Sequence, residues 1–280
     1  RMLNVGKGAA VQSLRAQSDK HAYHAQMKKT LENTDNLCIL QGEAAEVLVQ
    51  GGKACGVKTT FGEIIPAKAV ILATGVYLQG SVIAGEFRQN SGPNGFAPAT
   101  ELTENLIRLG FSVRRFKTGT PARVDGRTID YSKCEIQEGE RDIYPFSYLS
   151  DGVPQKQRPC YLTYTNERTH EIIRANLHRS PLFSGMIKGT GPRYCPSIED
   201  KVVRFADKER HQIFLEPECA DSNEVYVQGM SSSLPHDVQR DMYRTVPGLE
   251  NVKIMRYAYA IEYDCIDTLD VYPTLEFKKI

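Results

Sequence analysis

The sequence predicts an α/β fold. Three observations carry this expectation. Helical and strand periodicities alternate along the chain instead of segregating into blocks. A β-rich meander turns at Gln50-Gly51-Gly52-Lys53 and leads to an apolar run, Lys68 to Gly75, that stops at a glycine. At 280 residues the chain can bury a substantial core, and two structural units are expected.

The elements follow in order. Residues 11–33 read as a helix with Tyr23, Met27 and Leu31 on one stripe. Asp19, one turn earlier on that stripe, is either a functional contact or a helix-end residue reaching solvent, and the second reading is favoured. Leu37 to Leu40 is a short apolar strand. Glu43 to Val49 and Ala54 to Thr60 form the hairpin, and Glu63 to Ile65 adds a third strand. The run Lys68 to Gly75 reads as a strand buried on both faces. Gly80 to Pro98, rich in glycine and proline, reads as loop. Thr100 caps a helix carrying Leu102, Leu106 and Leu109, closed by Gly110. Phe111 to Phe116 is a strand, and Lys117 to Pro121 is a turn and the first domain boundary. Residues 125–159 form a polar surface excursion. Thr165 caps a helix through Leu177; His211 to Glu216, Glu224 to Gln228 and Val252 to Met255 are strands; Pro235 opens a helix with Val238 and Met242 inward.

One segment carries more chemistry than the rest: Gly191-Pro192-Arg193-Tyr194-Cys195-Pro196-Ser197-Ile198-Glu199-Asp200-Lys201-Val202-Val203-Arg204-Phe205. Gly191-Pro192 breaks the chain, and Pro196 holds Cys195 out of the helical region. Ser197 is an N-cap, with Glu199 and Asp200 in the first turn and Ile198, Val202 and Phe205 on one face. A thiol before a helix and beside Arg193 sits where a thiolate is favoured. The plainer alternative is a small buried hydrophobe in a tight turn. Likewise the Thr74-Gly75 end of the apolar run is either a flavin-side turn or an ordinary strand-to-loop turn.

Composition narrows the classes. Charged residues make up 25% and hydrophobic residues 41%, as in globular proteins, and no apolar run approaches a membrane span. The net charge of +1 supplies no global attraction to nucleic acid, so RNA contact requires a local basic patch. Arg114, Arg115, Lys117, Arg123 and Arg127 form one basic stretch, and Arg174 and Arg179 a second; a solvated face is the commoner meaning of such runs. Seven cysteines include no C-x-x-C pair, which points to a reducing cytoplasm. The six histidines show no metal-binding spacing, so no metal is expected. There is no G-x-G-x-x-G, hence no dinucleotide fingerprint.

The segment around Cys195 resembles the signature of the GidA/MnmG family, flavoenzymes of tRNA wobble-uridine modification. Arg1-Met2-Leu3-Asn4, Arg15-Ala16-Gln17, Lys117-Thr118-Gly119-Thr120-Pro121, Pro159-Cys160-Tyr161, His211 to Glu218 and Tyr259 to Asp264 resemble family segments in the same order. The resemblance implies a partial FAD-binding, glutathione-reductase-like domain over residues 1–119, an inserted α/β substrate or NADH domain over 120–265, and a return to the first domain over 266–280. It implies FAD, NADH and a folate one-carbon donor as cofactors. It implies tRNA as substrate, the GTPase MnmE as partner, a homodimer and a cytoplasmic location. Cys195 becomes the candidate nucleophile, or else a neighbour of the cofactor. Ala44, Thr74, Gly75, Ala99 and the whole run Gly191 to Phe205 become candidate cofactor contacts. The family's glycine-rich fingerprint is expected upstream of Arg1, and the helical domain that docks MnmE after Ile280. Little flavin is therefore expected on the chain alone. The alternatives are a folate- and FAD-dependent tRNA uridine methyltransferase and a non-catalytic piece that holds tRNA or a partner.

Overall fold

The computed structural model describes residues 1–154, 156–191 and 196–280. In chain order, β1 (Met2–Leu3) pairs with β2 (Ser13–Leu14), and α1 (Lys20–Glu32) follows. Next come β3 (Ala44–Gln50), β4 (Lys53–Thr59) and β5 (Ile64–Pro66), then β6 (Ser81–Ala84), β7 (Phe87–Asn90), α2 (Leu102–Arg108) and β8 (Val113–Thr120). The second half contains β9 (Arg123–Asp125), β10 (Glu135–Gln137), β11 (Cys160–Tyr164), α3 (Glu167–Ala175) and α4 (Ile198–Arg204). It closes with β12 (Gln212–Pro217), β13 (Glu224–Gln228), α5 (His236–Tyr243), β14 (Ile254–Arg256) and β15 (Tyr259–Ile266).

Three larger sheets result, all with antiparallel ladders: β3-β4-β5, β7-β6-β15-β8 and β10-β11-β12-β13-β9-β14. The first is the expected meander. Gly51 and Gly52 form its two-residue turn with φ of 58° and 75°, the positive-φ pair that a tight hairpin demands. Its inner face packs Val47 against Leu78, Leu102 and Leu106, and buried Asn105 accepts from the Val47 amide at 2.9 Å, fixing α2 on the sheet.

The largest core lies under the six-stranded sheet. Ile173 of α3, Ile198 and Val202 of α4, and Val238, Met242 and Tyr243 of α5 meet Val124, Ile213, Leu215 and Val227. Each such side chain contributes about 1.5–3 kcal/mol by leaving water. The helices are well started. Asn166 and Thr169 make a reciprocal capping box on α3, and Ser197 Oγ accepts from Asp200 N at 3.3 Å on α4.

Several expectations need correction. The first helix begins at Lys20, because Asp19 caps it and Ser13–Leu14 is drawn into a ladder with Met2–Leu3. Leu37 to Leu40 forms no strand. Lys68 to Gly75 finds no ladder partner among the described residues: Val70 and Leu72 pack inward while Ile71 is 91% exposed, so the run is buried on one face only. The glycine-rich stretch 80–98 contains the β6–β7 hairpin. Glu101, not Thr100, is the residue before α2, and Asn166, not Thr165, caps α3. Lys117 to Thr120 is no turn: β8 continues through it, paired along its whole length with β15. Phe205 leaves the α4 core stripe and is 49% exposed.

Candidate functional site

The four scattered candidates for flavin contact come together. Ala44 opens β3 and, with Ala99, packs against the cluster of Leu78, Leu102 and Leu106. The Ala99 amide donates to Tyr77 O at 3.0 Å, and the Gln79 amide donates to Ala99 O at 2.9 Å. Tyr77 N in turn donates to Thr74 O at 3.3 Å, so the Thr74-Gly75 turn sits beside Ala99. Glu43 Oε1 accepts from Thr100 N at 3.2 Å and closes the circle onto β3. Gly75 has φ of 56°, in the left-handed region. Small side chains at one place, with glycine in the left-handed region, would leave room for a flat ring such as that of FAD. A glycine-rich phosphate-binding turn is not in the sequence.

The signature segment is anchored at both of its described ends. Pro192, Arg193, Tyr194 and Cys195 lie outside the described residues. Before them, Thr190 O accepts from Lys117 N at 3.0 Å, and Thr190 N donates to Arg115 O at 3.1 Å, which extends the β8 edge. A side chain at Gly189 would come within 2.8 Å of Phe116 backbone atoms, so only glycine allows this approach. After them, Pro196 leads into buried Ser197, and Ile198 N donates to Ser231 O at 2.7 Å. Glu199 is fully buried; its Oε1 accepts from Ser233 N at 3.0 Å and from Ser233 Oγ at 3.2 Å. Asp200 pairs with Arg204, Lys201 Nζ donates to Gly229 O at 3.0 Å, Val202 is core, and Val203 faces outward. Most of the described run is therefore held by backbone contacts and core packing. The helix is only seven residues long, which limits the dipole available to the thiol before it.

One residue that sequence reasoning did not assign stands between the two places. Glu262 of β15 is 1% exposed and accepts from Lys188 N at 2.7 Å and from Gly189 N at 2.6 Å; its other oxygen pairs with Arg88 at 3.2 Å. Two residues on, Asp264 N donates to Leu78 O at 2.7 Å, and Asp264 Oδ1 accepts from Arg115 at 3.0 Å. β15 thus holds the strap before the signature and the segment beside Gly75. Its only signal in the sequence was the Tyr259 to Asp264 motif.

The basic runs do not make an open cationic patch. Lys117 and Arg123 are buried. Arg114 pairs with Asp267 at 2.6 Å, Arg127 with Asp125 at 2.7 Å, Arg174 with Glu167 at 2.6 Å, and Arg179 with Asp237 at 2.7 Å. The Arg127 guanidinium holds Asp125 down at about 2. Among the described residues no cluster could hold a metal ion, and no helix is long and apolar enough to cross a membrane. The six described cysteines are free thiols, and burial pushes Cys134, Cys160 and Cys265 up.

Known proteins match this chain throughout. The family model "Glucose inhibited division protein A" covers residues 1–280. A protein of Caldicellulosiruptor saccharolyticus named tRNA uridine 5-carboxymethylaminomethyl modification enzyme MnmG is 61% identical over the whole chain; one of the same name from Bacillus licheniformis is 58% identical. The chain spans 45% of the length of each of these relatives. The crystal structure of Aquifex aeolicus GidA, form I, superposes with a TM-score of 0.93 at 49% identity, covering all of this chain and 48% of that one. With the family model matched from end to end, the chain belongs to the glucose inhibited division protein A family.

Proposed function

We propose that the chain is the central part of an FAD-dependent enzyme that builds a carboxymethylaminomethyl or aminomethyl group on C5 of a tRNA wobble uridine. The observation that carries this reading is the convergence of Ala44, Thr74, Gly75 and Ala99, with β15 touching both their cluster and the anchored strap of the signature. The names of the relatives support the same reaction. NADH as reductant, a folate one-carbon donor, the GTPase MnmE as partner and a homodimeric state belong to the same proposal. So does the division at residues 119 and 265, which is supported by the containment of every strand of the six-stranded sheet within residues 123–256.

Bound FAD supplies the redox chemistry. The protein's own contribution is to position and activate the pyrimidine. C5 of uracil is a weak nucleophile. The Cys195 thiolate adds to C6, forming an S–C6 bond, and the C5=C6 electron pair moves into the C4 carbonyl as an enolate. C5 then attacks an electrophilic methylene. Loss of the C5 proton and departure of the thiolate restore the C5=C6 bond and the free cysteine.

The test is Cys195→Ser in the full-length enzyme. A serine hydroxyl stays protonated near neutral pH, so modification should fall by orders of magnitude while flavin and tRNA affinity stay close to normal. Near-normal modification would reduce Cys195 to a neighbour of the cofactor. The chain alone should carry little flavin, because its sequence lacks the phosphate-binding turn; a stoichiometric flavin absorption spectrum would overturn that statement.

A further inference from the structure

One buried cation is left unpaired. Lys117, on β8, is 4% exposed. Lysine is almost never buried so deeply without a partner. Among the described residues its ammonium makes neither a hydrogen bond nor an ion pair. The described side-chain atoms that are both unpartnered and sealed from solvent are Thr103 Oγ1, Ser180 Oγ, Glu199 Oε2 and His211 Nε2. The Lys117 nitrogen is not one of them, so its tip keeps a narrow opening while its stem is covered.

The ladder register fixes what surrounds it. Lys117 stands opposite Glu262 on β15, and Glu262 opposite Ser81 on β6, so the three share one face of the sheet. Glu262 is committed elsewhere: one oxygen accepts from the Lys188 and Gly189 amides, and the other pairs with Arg88. Arg115, two residues back on the same face, donates to Gln79 O at 2.8 Å, and Gln79 N donates to Ala99 O. Lys117 N donates to Thr190 O, in the strap that runs into the signature. Lys117 therefore belongs to the short stretch of β8 that touches both the Ala99 cluster and the strap.

An unpaired cation held out of water is costly to the fold and attracts strongly any anion that forms beside it. The uridine chemistry forms one. When the thiolate adds at C6, the C5=C6 pair shifts toward C4 and the carbonyl pair comes to rest on O4. We propose that the Lys117 ammonium donates to uracil O4 and holds this enolate, which makes Lys117 a catalytic residue. The lysine keeps its proton. When C5 bonds to its electrophile, the O4 pair returns to the carbonyl and the ammonium is released unchanged. The assignment rests on the reaction proposed above.

The experiment uses the full-length enzyme and saturating tRNA in deuterated water, without the one-carbon donor. The enolate then takes a deuteron at C5 and loses the original proton as the thiolate departs. Exchange at C5, read by mass spectrometry of the nucleoside, reports this step alone. Lys117→Met fits the covered stem and should slow exchange by about 100- to 1,000-fold, with an unchanged or raised urea midpoint. Lys117→Ala should lose exchange as well and regain at least about tenfold with propylammonium but not with 1-propanol, a recovery that a purely structural role does not give. Exchange close to normal in Lys117→Met, or no recovery with propylammonium, would overturn the assignment. So would a changed flavin reduction potential in Lys117→Met with exchange intact, which would place the ammonium against the flavin. Cys195→Ser separates the two readings. Exchange lost there but kept in Lys117→Met removes only the lysine's role, whereas exchange kept in Cys195→Ser removes the addition step itself.

Discussion

Replacing Glu262 should loosen the strap that leads into the signature. Its carboxylate accepts two successive backbone amides, Lys188 at 2.7 Å and Gly189 at 2.6 Å, from a site that is 1% exposed. Hydrogen bonds to a charged acceptor contribute about 1.5–3 kcal/mol each. The Arg88 partner is 42% exposed, so that ion pair adds only about 0–1 kcal/mol. Glu262→Ala strands both amides and should cost about 3–5 kcal/mol. Glu262→Gln keeps the shape and one accepting oxygen and should cost about 1–2 kcal/mol. Urea denaturation measures both, read as a shift in midpoint at constant slope. Hydrogen exchange gives the local readout: the Lys188 and Gly189 amides should lose protection before the amides of β12 do. If Glu262→Ala shifts stability by less than about 1 kcal/mol, or leaves those two amides protected, the strap is held by something else and the reasoning fails.

Two further outcomes are expected. His170 and His211 lie together, with ring centroids 5.3 Å apart; Thr165 Oγ1 meets His170 Nε2 at 2.8 Å, and buried His211 Nε2 has no partner among the described residues. Burial pushes both pKa values down, with Arg174 adding to the shift at His170. Folded values below the unfolded value of about 6.5 mean that their contribution is complete above that pH and is lost as pH falls through it. Glu216, raised by burial, works in the opposite direction in acid, so the slope of urea midpoint between pH 7.5 and 5.5 should be compared with that of His170→Gln, which should be shallower; identical slopes would refute it. Asn166→Ala breaks the capping box of α3 and should cost about 1 kcal/mol in the same assay, whereas Thr165→Ala should act through the histidines and change the pH slope instead.

What could be read from the sequence was local. The Gly51-Gly52 turn, the α4 cap at Ser197 and the inward faces of α2 and α5 follow from turn chemistry and helical spacing, and the structure has them. What could not be read depended on distant partners. Lys117 to Thr120 looks like a turn because of its glycine and threonines, yet β15, far along the chain, pairs with it and keeps it extended. Lys68 to Gly75 looks like a central strand, but among the described residues it finds no neighbour to pair with. Ala44 and Ala99 were singled out only through resemblance, since they carry no chemistry of their own, whereas Thr74-Gly75 also stood out as the end of an apolar run. Glu262 was invisible as a contact because its partners are main-chain amides, which no side-chain pattern announces. The favoured reading of the charge runs as a solvated face holds, although the carboxylates that pair Arg114 and Arg179 lie far along the chain.

The pairing of β8 with β15 also sets an order of events at the ribosome. Thr120 lies opposite Tyr259, so the four-stranded sheet cannot be completed until the intervening residues have emerged. At about 5–20 residues per second that wait is on the order of ten to thirty seconds. The intervening stretch contains all six strands of the largest sheet and can collapse on itself meanwhile. During that interval β6 and β8 each present an unpaired edge, the state in which strands join the wrong neighbour. Slower translation just before Tyr259, or a chaperone that shields those two edges, should therefore change the yield of folded chain more than the same intervention placed after Ile266.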